Sequence, residues 1–561
     1  MWTTYLESYS SVTQRQVGQK LRPEGDLTKI VNAGGVDVTA MRSHAKKRGY
    51  YWAGNLDFLG DNPANSRFRE DPIGRVRICS FSMEEQQRLN LVEWGVLGVP
   101  QRNLKTVATG RLRVIRKQDG GNRLIFDGRE GNKLLRGIER FGLSSMEYAT
   151  DMIGRFEYGL VGDQINWFYQ LPTGNWAMAM TVMIINGVRS LMKVLSMGTS
   201  FAPLCGQTSM TILVLYMEDG EDNLGAPEGF TTIPCNFLLK IGGRVVVVVI
   251  IHIDNVYIWV DDEKLREQWE QRLERNAKLL RAKWKYLKKV DVQETVTILG
   301  VEKGPGGFRP PPRVLKMEDR MTRRKIASIA GVAQWACRVR QDKKMMEGAI
   351  DISVSVSKEV SCGKSWDSQR DTSDLTGLPR LIEYVAREDW HQWKSLEWNG
   401  KEVWAMTDAS QSVMWWVERG GREQFLLFSK TQCDLHIFFK ELLAVELLFQ
   451  WVVNNFGKGT RVWLGVDNAA VVCVLRKGRT PTVRGQEILF RILEFELLIC
   501  AGWVPTLLNA ADDGTRRKRT RGEVRWDIVE QQWSPPTLPQ GEMSLPEWDE
   551  KTEREFDWDN L

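Results

Sequence analysis

Six acidic residues, far apart in the chain, raise the question of chemistry: Asp163, Asp254, Asp408, Glu441, Asp467 and Asp512. Two carboxylates at the ends of adjacent strands repel each other unless a divalent cation sits between them. Mg²⁺ suits such a place because it prefers carboxylate and phosphate oxygens and keeps some of its waters. Two such ions can activate an attacking oxygen and stabilise a leaving oxygen on phosphorus. Asp163 and Asp254 form one such set if their strands are neighbours. Asp408, Glu441, Asp467 and Asp512 form a second, in the order strand end, helix, strand end, post-strand helix. Singly, each is an ordinary turn or cap residue. Four in that order, within T-D-A-S, K-E-L-L-A, V-D-N and N-A-A-D, are far more specific. Asp512 is preferred to Asp513 because it follows N-A-A in register.

The elements that must carry these groups are legible in turn. Val245 to Asp262 is a run of Val and Ile broken by His252, Asp254 and Asn255. It reads as two apolar strands folded back at Asp254-Asn255. W-V-D-D at 259–262 imitates an acidic signature, but Asp261 and Asp262 stand where a helix N-cap and first turn belong. A strand from Tyr158 to Val161 delivers Asp163. G-T-S-F-A-P-L-C-G-Q, from Gly198 to Gln207, opens a helix with Pro203 near its first turn. Upstream, Leu112 to Leu135 reads as a hairpin turning at Asp119-Gly120-Gly121. Arg116, Lys117 and Arg123 flank that turn, either as charge-assisted partners of a triphosphate or as an exposed charged surface. Lys283 to Lys289 reads as a basic cluster before a strand, Gly304 to Pro312 as a boundary, Met317 to Val339 as a basic helix, and 351–375 as a connector. In the second half, strands end at Asp408 and Asp467, and Ile437 to Phe456 is a helix. Helices are expected at about 469–477 and 483–501, and a last strand at 502–508.

The charge is uneven. The chain carries +6, while Gly522 to Leu561 carries 11 acidic and 3 basic residues, which leaves +14 for the rest. A basic body with an acidic tail suits a polyanion such as nucleic acid. The eight cysteines form no C-x-x-C pair, which argues against a structural zinc site and for a reducing compartment. The first residues carry no signal-peptide pattern, and the Val245–Ile251 run is too short to span a membrane.

Residues from about 85 to 340 resemble a retroelement reverse transcriptase. The segments carrying the resemblance are R-K-Q-D-G-G-N-R-L-I-F-D-G-R-E-G-N, D-Q-I-N-W-F-Y-Q-L-P, G-T-S-F-A-P-L-C-G-Q, H-I-D-N and I-L-G-V. Residues 402–517 resemble a retroelement RNase H. V-D-N-A-A-V-V-C-V-L-R-K-G and N-A-A-D-D-G-T-R are most similar to the tyrosine-recombinase retrotransposons of the DIRS/VIPER group. The resemblance implies an α+β and α/β multidomain chain: a right-hand polymerase (fingers, palm, thumb), a connector and an RNase H-like domain. The corresponding bounds are an N-terminal extension at 1–85, fingers and palm at 86–315, thumb at 316–345, connection at 346–400, RNase H at 401–520 and an acidic tail at 521–561.

Carried over by motif, the resemblance implies the following roles. Asp163 and Asp254, with Asn255 beside them, hold Mg²⁺ (or Mn²⁺) for nucleotidyl transfer. Asp408, Glu441, Asp467 and Asp512 hold the RNase H metals. Phe168 lies under the nucleotide sugar, Arg123 with Lys117 or Arg116 binds the triphosphate, and Gly198, Pro203 and Gln207 line the template–nucleotide pocket. Lys288 or Lys289 assists the pyrophosphate. The implied function is an RNA-directed DNA polymerase with RNase H activity. Its implied partners are an RNA template, a DNA primer, an RNA–DNA hybrid and dNTPs, with no membrane. A separate recombinase or gag-like chain of the same element would be needed, and the implied location is the cytoplasm or nucleus. The chain departs from the family in four respects: His252 replaces the usual Tyr, Asn255 the usual second Asp, Val413-Met414-Trp415-Trp416 stands where Gly residues are common, and no histidine follows Asp467. The alternative is a retroelement-derived nucleic-acid-binding scaffold.

Overall fold

A computed structural model describes residues 27–60, 76–102, 104–116, 121–135, 141, 143–144, 146–217, 233–241, 244–478, 480, 482–506 and 509–516. These residues divide into two compact units. One is drawn from 27–144 and 155–294, the other from 146–154 and 295–516.

The first unit is built on a five-stranded antiparallel sheet. A separate hairpin pairs β1 (Leu112–Arg116) with β2 (Asn122–Phe126). The sheet itself comprises β3 (Tyr158–Gln164), β4 (Asn236–Ile241), β5 (Arg244–His252), β6 (Asn255–Val260) and β7 (Trp284–Val290), in the order β7-β3-β6-β5-β4. Helix α1 (Ala202–Leu215) starts with Pro203 in its first turn and is buried almost throughout. Helix α2 (Glu263–Leu279) is capped by Asp262, which accepts from the Lys264 N–H. Val247 to Ile251 are all fully buried. Alternate residues of a strand point to opposite faces, so both faces of β5 are covered, which is why its sequence is a continuous apolar run.

The second unit begins with helices α3 (Arg323–Arg340), α4 (Lys343–Ser361) and α5 (Leu378–Ala386). A second five-stranded sheet follows, from β8 (Glu402–Ala409), β9 (Val413–Glu418), β10 (Glu423–Leu427), β11 (Arg461–Val466) and β12 (Leu498–Trp503). Helix α6 (Ile437–Phe456) lies between β10 and β11. Helices α7 (Ala469–Lys477) and α8 (Val483–Glu494) precede β12, and α9 (Asp512–Arg516) follows it. The strand order is β10-β9-β8-β11-β12, with β8, β9 and β10 antiparallel and β11 and β12 parallel to β8. That is the order of an RNase H-like sheet. Leu442, Ala444, Val445, Leu448, Phe449 and Val452 of α6 join Val403, Ala405, Val462 and Leu464 in one core. The molecule is therefore a mixed α and β chain of more than one domain, the class expected from the sequence.

Several elements differ from the expectation. The stretch 351–375 is not simply a connector: α4 runs to Ser361, with Ala349, Ile350, Ile352 and Val356 buried at helical spacing among serines. Lys283 to Lys289 precedes a strand at Val296–Ile298, as expected, but it also largely forms one itself, β7. It is an edge strand, where lysines keep the open side from pairing with another chain. Helix α8 ends at Glu494, and the last strand lies at Leu498–Trp503 rather than 502–508. None of the eight cysteines is joined in a disulfide. No helix among the described residues is long and apolar enough to cross a membrane.

Candidate metal centres

In the first unit, sheet register brings Asp163 and Asp254 to neighbouring strands. Asn255 lies opposite Asp163 in the β6–β3 pairing, and the Gln164 N–H donates to the Asp254 carbonyl (2.9 Å). His252 pairs with Asn255, so the two turn residues are Ile253 and Asp254, one position earlier than the fold-back read from the sequence. Ile253 has φ +58°. A β-branched residue in the left-handed region costs about 1–3 kcal/mol unless its surroundings enforce it. Here Gln207 of α1 enforces it. Its side-chain carbonyl accepts from the Ile253 N–H (2.7 Å) and its amide donates to the Ile251 carbonyl (3.2 Å). Gln207 is fully buried, so in this structure it grips the hairpin from behind.

The carboxylates differ in surroundings. Burial pushes the Asp254 carboxyl above its ordinary range, against the pull of its own backbone and of His252, Arg123 and Lys285. Asn255 donates its side-chain N–H to Asp254 Oδ1 (3.0 Å), so it acts here as a partner of that carboxylate. Lys285 Nζ lies 3.5 Å from Asp163 Oδ2. Lys288 and Lys289 are engaged elsewhere, with Glu294 (3.3 Å) and with Glu270 (3.0 Å). The cation beside the acids is therefore Lys285. No sequence signal sets it apart from the neighbouring lysines, because a bulge at Lys285 decides its direction.

The remaining nucleotide-site candidates fall around this hairpin. Phe168 packs where a Cβ on Gly206 would come within 2.9 Å of its ring and 3.3 Å of Ile253, so Gly206 lets α1 close on both. Gly198 has φ +114°, and a Cβ there would lie 1.8 Å from the Phe126 carbonyl. Asn132 binds the same loop, donating to the Gly198 carbonyl (3.0 Å) and accepting from the Ser200 N–H (2.8 Å). The R-E-G-N and G-T-S-F-A-P segments thus clasp each other, and Gly198 serves that close approach. Arg123, on β2, is exposed. Its charge reaches both Asp254 and the buried Tyr169. Pro203 starts α1. Lys117 and the Asp119-Gly120 turn lie outside the described residues, as does the Arg116 side chain.

In the second unit, three of the four acids meet and the fourth adjoins two of them. One carboxylate oxygen each from Asp408, Asp467 and Asp512 lies within 4.8 Å of the others. Glu441 joins them: Asp408 and Asp467 both press on its carboxyl, which is held well above its ordinary range chiefly by burial. Burial and the Asp467 charge likewise push Asp408 up to about 7. The sheet produces this. Asp408 lies near the end of β8, Asp467 just past the end of the parallel neighbour β11, and Glu441 in the second turn of α6 beneath them. Helix α9 brings Asp512 over the strand end. Asn509 donates to the Thr407 carbonyl (2.9 Å) and the Asp512 N–H donates to the Asn509 carbonyl (3.1 Å). A Cβ on Gly514 would lie 2.2 Å from the Trp415 ring, and Trp415 is opposite Asp408. Trp415 is thus accommodated by a glycine on the helix.

Glu441 Oε2 is buried and has no hydrogen-bond partner among the described residues. A buried carboxylate oxygen pressed by Asp408 and Asp467 costs free energy unless a proton or a cation completes it. The donor set is all oxygen, which fits Mg²⁺ or Mn²⁺ rather than zinc.

The basic helix α3 is less open to phosphate than its composition suggests. Arg323 pairs with Glu359 (2.7 Å), Arg324 with Asp367 (2.8 Å), Lys325 with Glu318 (2.6 Å), Arg338 with Glu147 (2.7 Å) and Arg340 with Asp389 (2.7 Å). Arg323 and Arg340 are buried, so these pairs are part of how the helix packs.

No protein-family model and no curated protein matches the chain. Among solved structures, the foamy viral protease-reverse transcriptase dRH in complex with double-stranded DNA is similar at 15% identity. That match covers 87% of this chain and 84% of that one, with a TM-score of 0.45. The foamy viral protease-reverse transcriptase in complex with an RNA/DNA hybrid is similar at 15% identity over 94% of this chain and 67% of that one, with a TM-score of 0.43.

Proposed function

We propose that the chain is an RNA-directed DNA polymerase of a retrotransposon with an RNase H in its second unit. The observation that carries the reading is the gathering of Asp408, Asp467 and Asp512 within 4.8 Å, with Glu441 against them, on an RNase H-like sheet. Acids gathered in one partly dry place are costly once ionised, and a divalent cation offsets that cost where a proton no longer does.

In this reading Asp408, Glu441, Asp467 and Asp512 hold divalent metal, and Asp163 and Asp254 do so in the first unit. The metals would supply charge stabilisation at phosphorus and a more acidic water or hydroxyl. The chain's own residues do the positioning. Gln207 fixes the turn that presents Asp254, Asn255 orients Asp254 Oδ1, and Phe168 and Arg123 meet the nucleotide's sugar and phosphates. Asp408 and Asp467 set one side of the hydrolytic site from two parallel strands, and Asp512 the other from α9. RNA–DNA hybrid, primer, template and dNTPs are the partners, held through the phosphate backbone without sequence readout.

The test is a labelled RNA–DNA hybrid incubated with the purified chain and Mg²⁺. Cleavage of the RNA strand alone, lost in Asp467→Asn, supports the reading. Absence of cleavage with Mg²⁺ and with Mn²⁺ overturns it. A scaffold role for the first unit is favoured by one observation, that Asn255 stands where a second carboxylate would be; failure of primer extension beside intact RNA cleavage would assign that role.

A further inference from the structure

We infer that Thr515 is a positioning residue of the carboxylate centre in the second unit, its hydroxyl fixing the orientation of Asp408 for metal. The inference rests on the metal-binding reading of that centre. Thr515 lies on α9, one turn after Asp512, and is buried. Its Oγ1 donates to Asp408 Oδ2. The same oxygen lies 3.0 Å from the Asp512 carbonyl, but a hydroxyl has one hydrogen, and the charged carboxylate is the stronger acceptor.

The arrangement joins two metal-site acids that belong to different elements. Asn509 ties the entry of α9 to the backbone of Thr407, and Thr515 ties its far end to the side chain of Asp408. Asp512 lies between these two anchors. The hydroxyl therefore sets Asp408 and, through the helix, Asp512 in one relative geometry.

The residue type matters as much as the place. The groups acting on Asp408 include Asp467 and Asp512, both of which oppose its ionisation. A lysine or arginine in Thr515's position would quiet that repulsion but would also compete with the metal for the carboxylate. A hydroxyl satisfies one lone pair and adds no positive charge. Partners that orient a metal ligand in this way are worth about 10–100-fold in metal affinity.

The test uses the full chain carrying Asp254→Asn, so that the first unit's centre is weakened, and measures Mn²⁺ binding by the loss of free-ion EPR signal. Thr515→Val is expected to weaken binding at the second centre about tenfold, and Thr515→Ser to stay within about twofold. RNA cleavage by Thr515→Val is expected to recover as Mn²⁺ is raised, because the loss is one of affinity. If the valine variant does not fold, Thr515→Ala takes its place in the same comparison. Binding by the valine or alanine variant within twofold of the parent, or a serine variant as weak as they are, overturns the inference. Asp467→Asn is the control: if it leaves binding unchanged, the reading of the centre itself fails, and if it abolishes binding while Thr515→Val does not, only the role of Thr515 fails.

Discussion

Lys285 Nζ lies 3.5 Å from Asp163 Oδ2, and a bulge puts it there. Trp284 is opposite Gln164 and Tyr286 is opposite Asp163, so the pairing of β7 with β3 slips at Lys285. A bulge re-aims the residue it contains. The same ammonium lies close enough to Asp254 to favour its ionisation. Both acids of the first unit thus share one counter-charge.

That counter-charge must be displaced or shared when a divalent cation arrives. Lys285→Met should therefore strengthen Mn²⁺ binding at the Asp163–Asp254 pair. The lysine is more than half exposed, so the gain is expected to be no more than about fivefold, the size of an exposed ion pair. Mn²⁺ titration in an Asp467→Asn background reads it. Weaker binding would show that Lys285 supports the metal site instead of competing with it.

Gly198→Ala should be among the most damaging small changes in the first unit. The added Cβ would fall 1.8 Å from the Phe126 carbonyl at φ +114°. Backbone cannot yield as a side chain does, so a loss of about 2 kcal/mol or more is expected. Denaturant unfolding measures it. A stability unchanged within about 0.5 kcal/mol would mean that the Phe126–Gly198 approach is looser than described.

A double-mutant cycle tests how the second unit absorbs Trp415. Gly514→Ala drives a methyl into the Trp415 ring and should destabilise the domain, whereas in a Trp415→Ala background the same change should cost much less. Coupling of about 1–3 kcal/mol is expected for residues in such contact. Additive effects would separate the glycine from the tryptophan.

The carboxylate cluster gives the second unit an inverted pH dependence. Asp408 titrates at about 7 in the folded chain, and an unfolded Asp near 3.9. A carboxyl with a raised folded pKa binds its proton more tightly when folded, so its contribution is lost as pH rises from about 4 through 7. Glu441 acts in the same direction. Without metal, the melting temperature of this unit should fall across that window. Mg²⁺ should restore more at pH 8 than at pH 5, and Asp408→Asn should flatten the curve. Calorimetry with and without chelator checks this. A Mg²⁺ effect independent of pH would contradict it.

Much of this was legible in the residues. The strands that end at Asp408 and Asp467 and the helix that carries Glu441 could be read from local patterning, because strand and helix periods are local properties, while their assignment as an RNase H-like set came from the resemblance. The places that escaped are those where tertiary contacts decide. The turn at Ile253-Asp254 looks like Asp254-Asn255 because Asx residues favour turns, and only the Gln207 clamp reveals why a β-branched residue sits at positive φ. Lys285 was hidden among neighbouring lysines because a bulge leaves no sequence mark. Thr515 reads as an ordinary helix residue until Asp408 is seen above it. The ion pairs of α3 join residues up to 191 positions apart, which no local pattern exposes.

The most direct measurement of the whole account is a separation of two activities in one chain. Wild type, Asp254→Asn and Asp467→Asn are given a DNA primer on an RNA template with dNTPs and Mg²⁺, and both primer extension and RNA cleavage are followed. The expected result is that Asp254→Asn loses extension and keeps cleavage, while Asp467→Asn loses cleavage and keeps extension. Extension that survives Asp254→Asn, or cleavage that survives Asp467→Asn, would contradict the assignment of those acids.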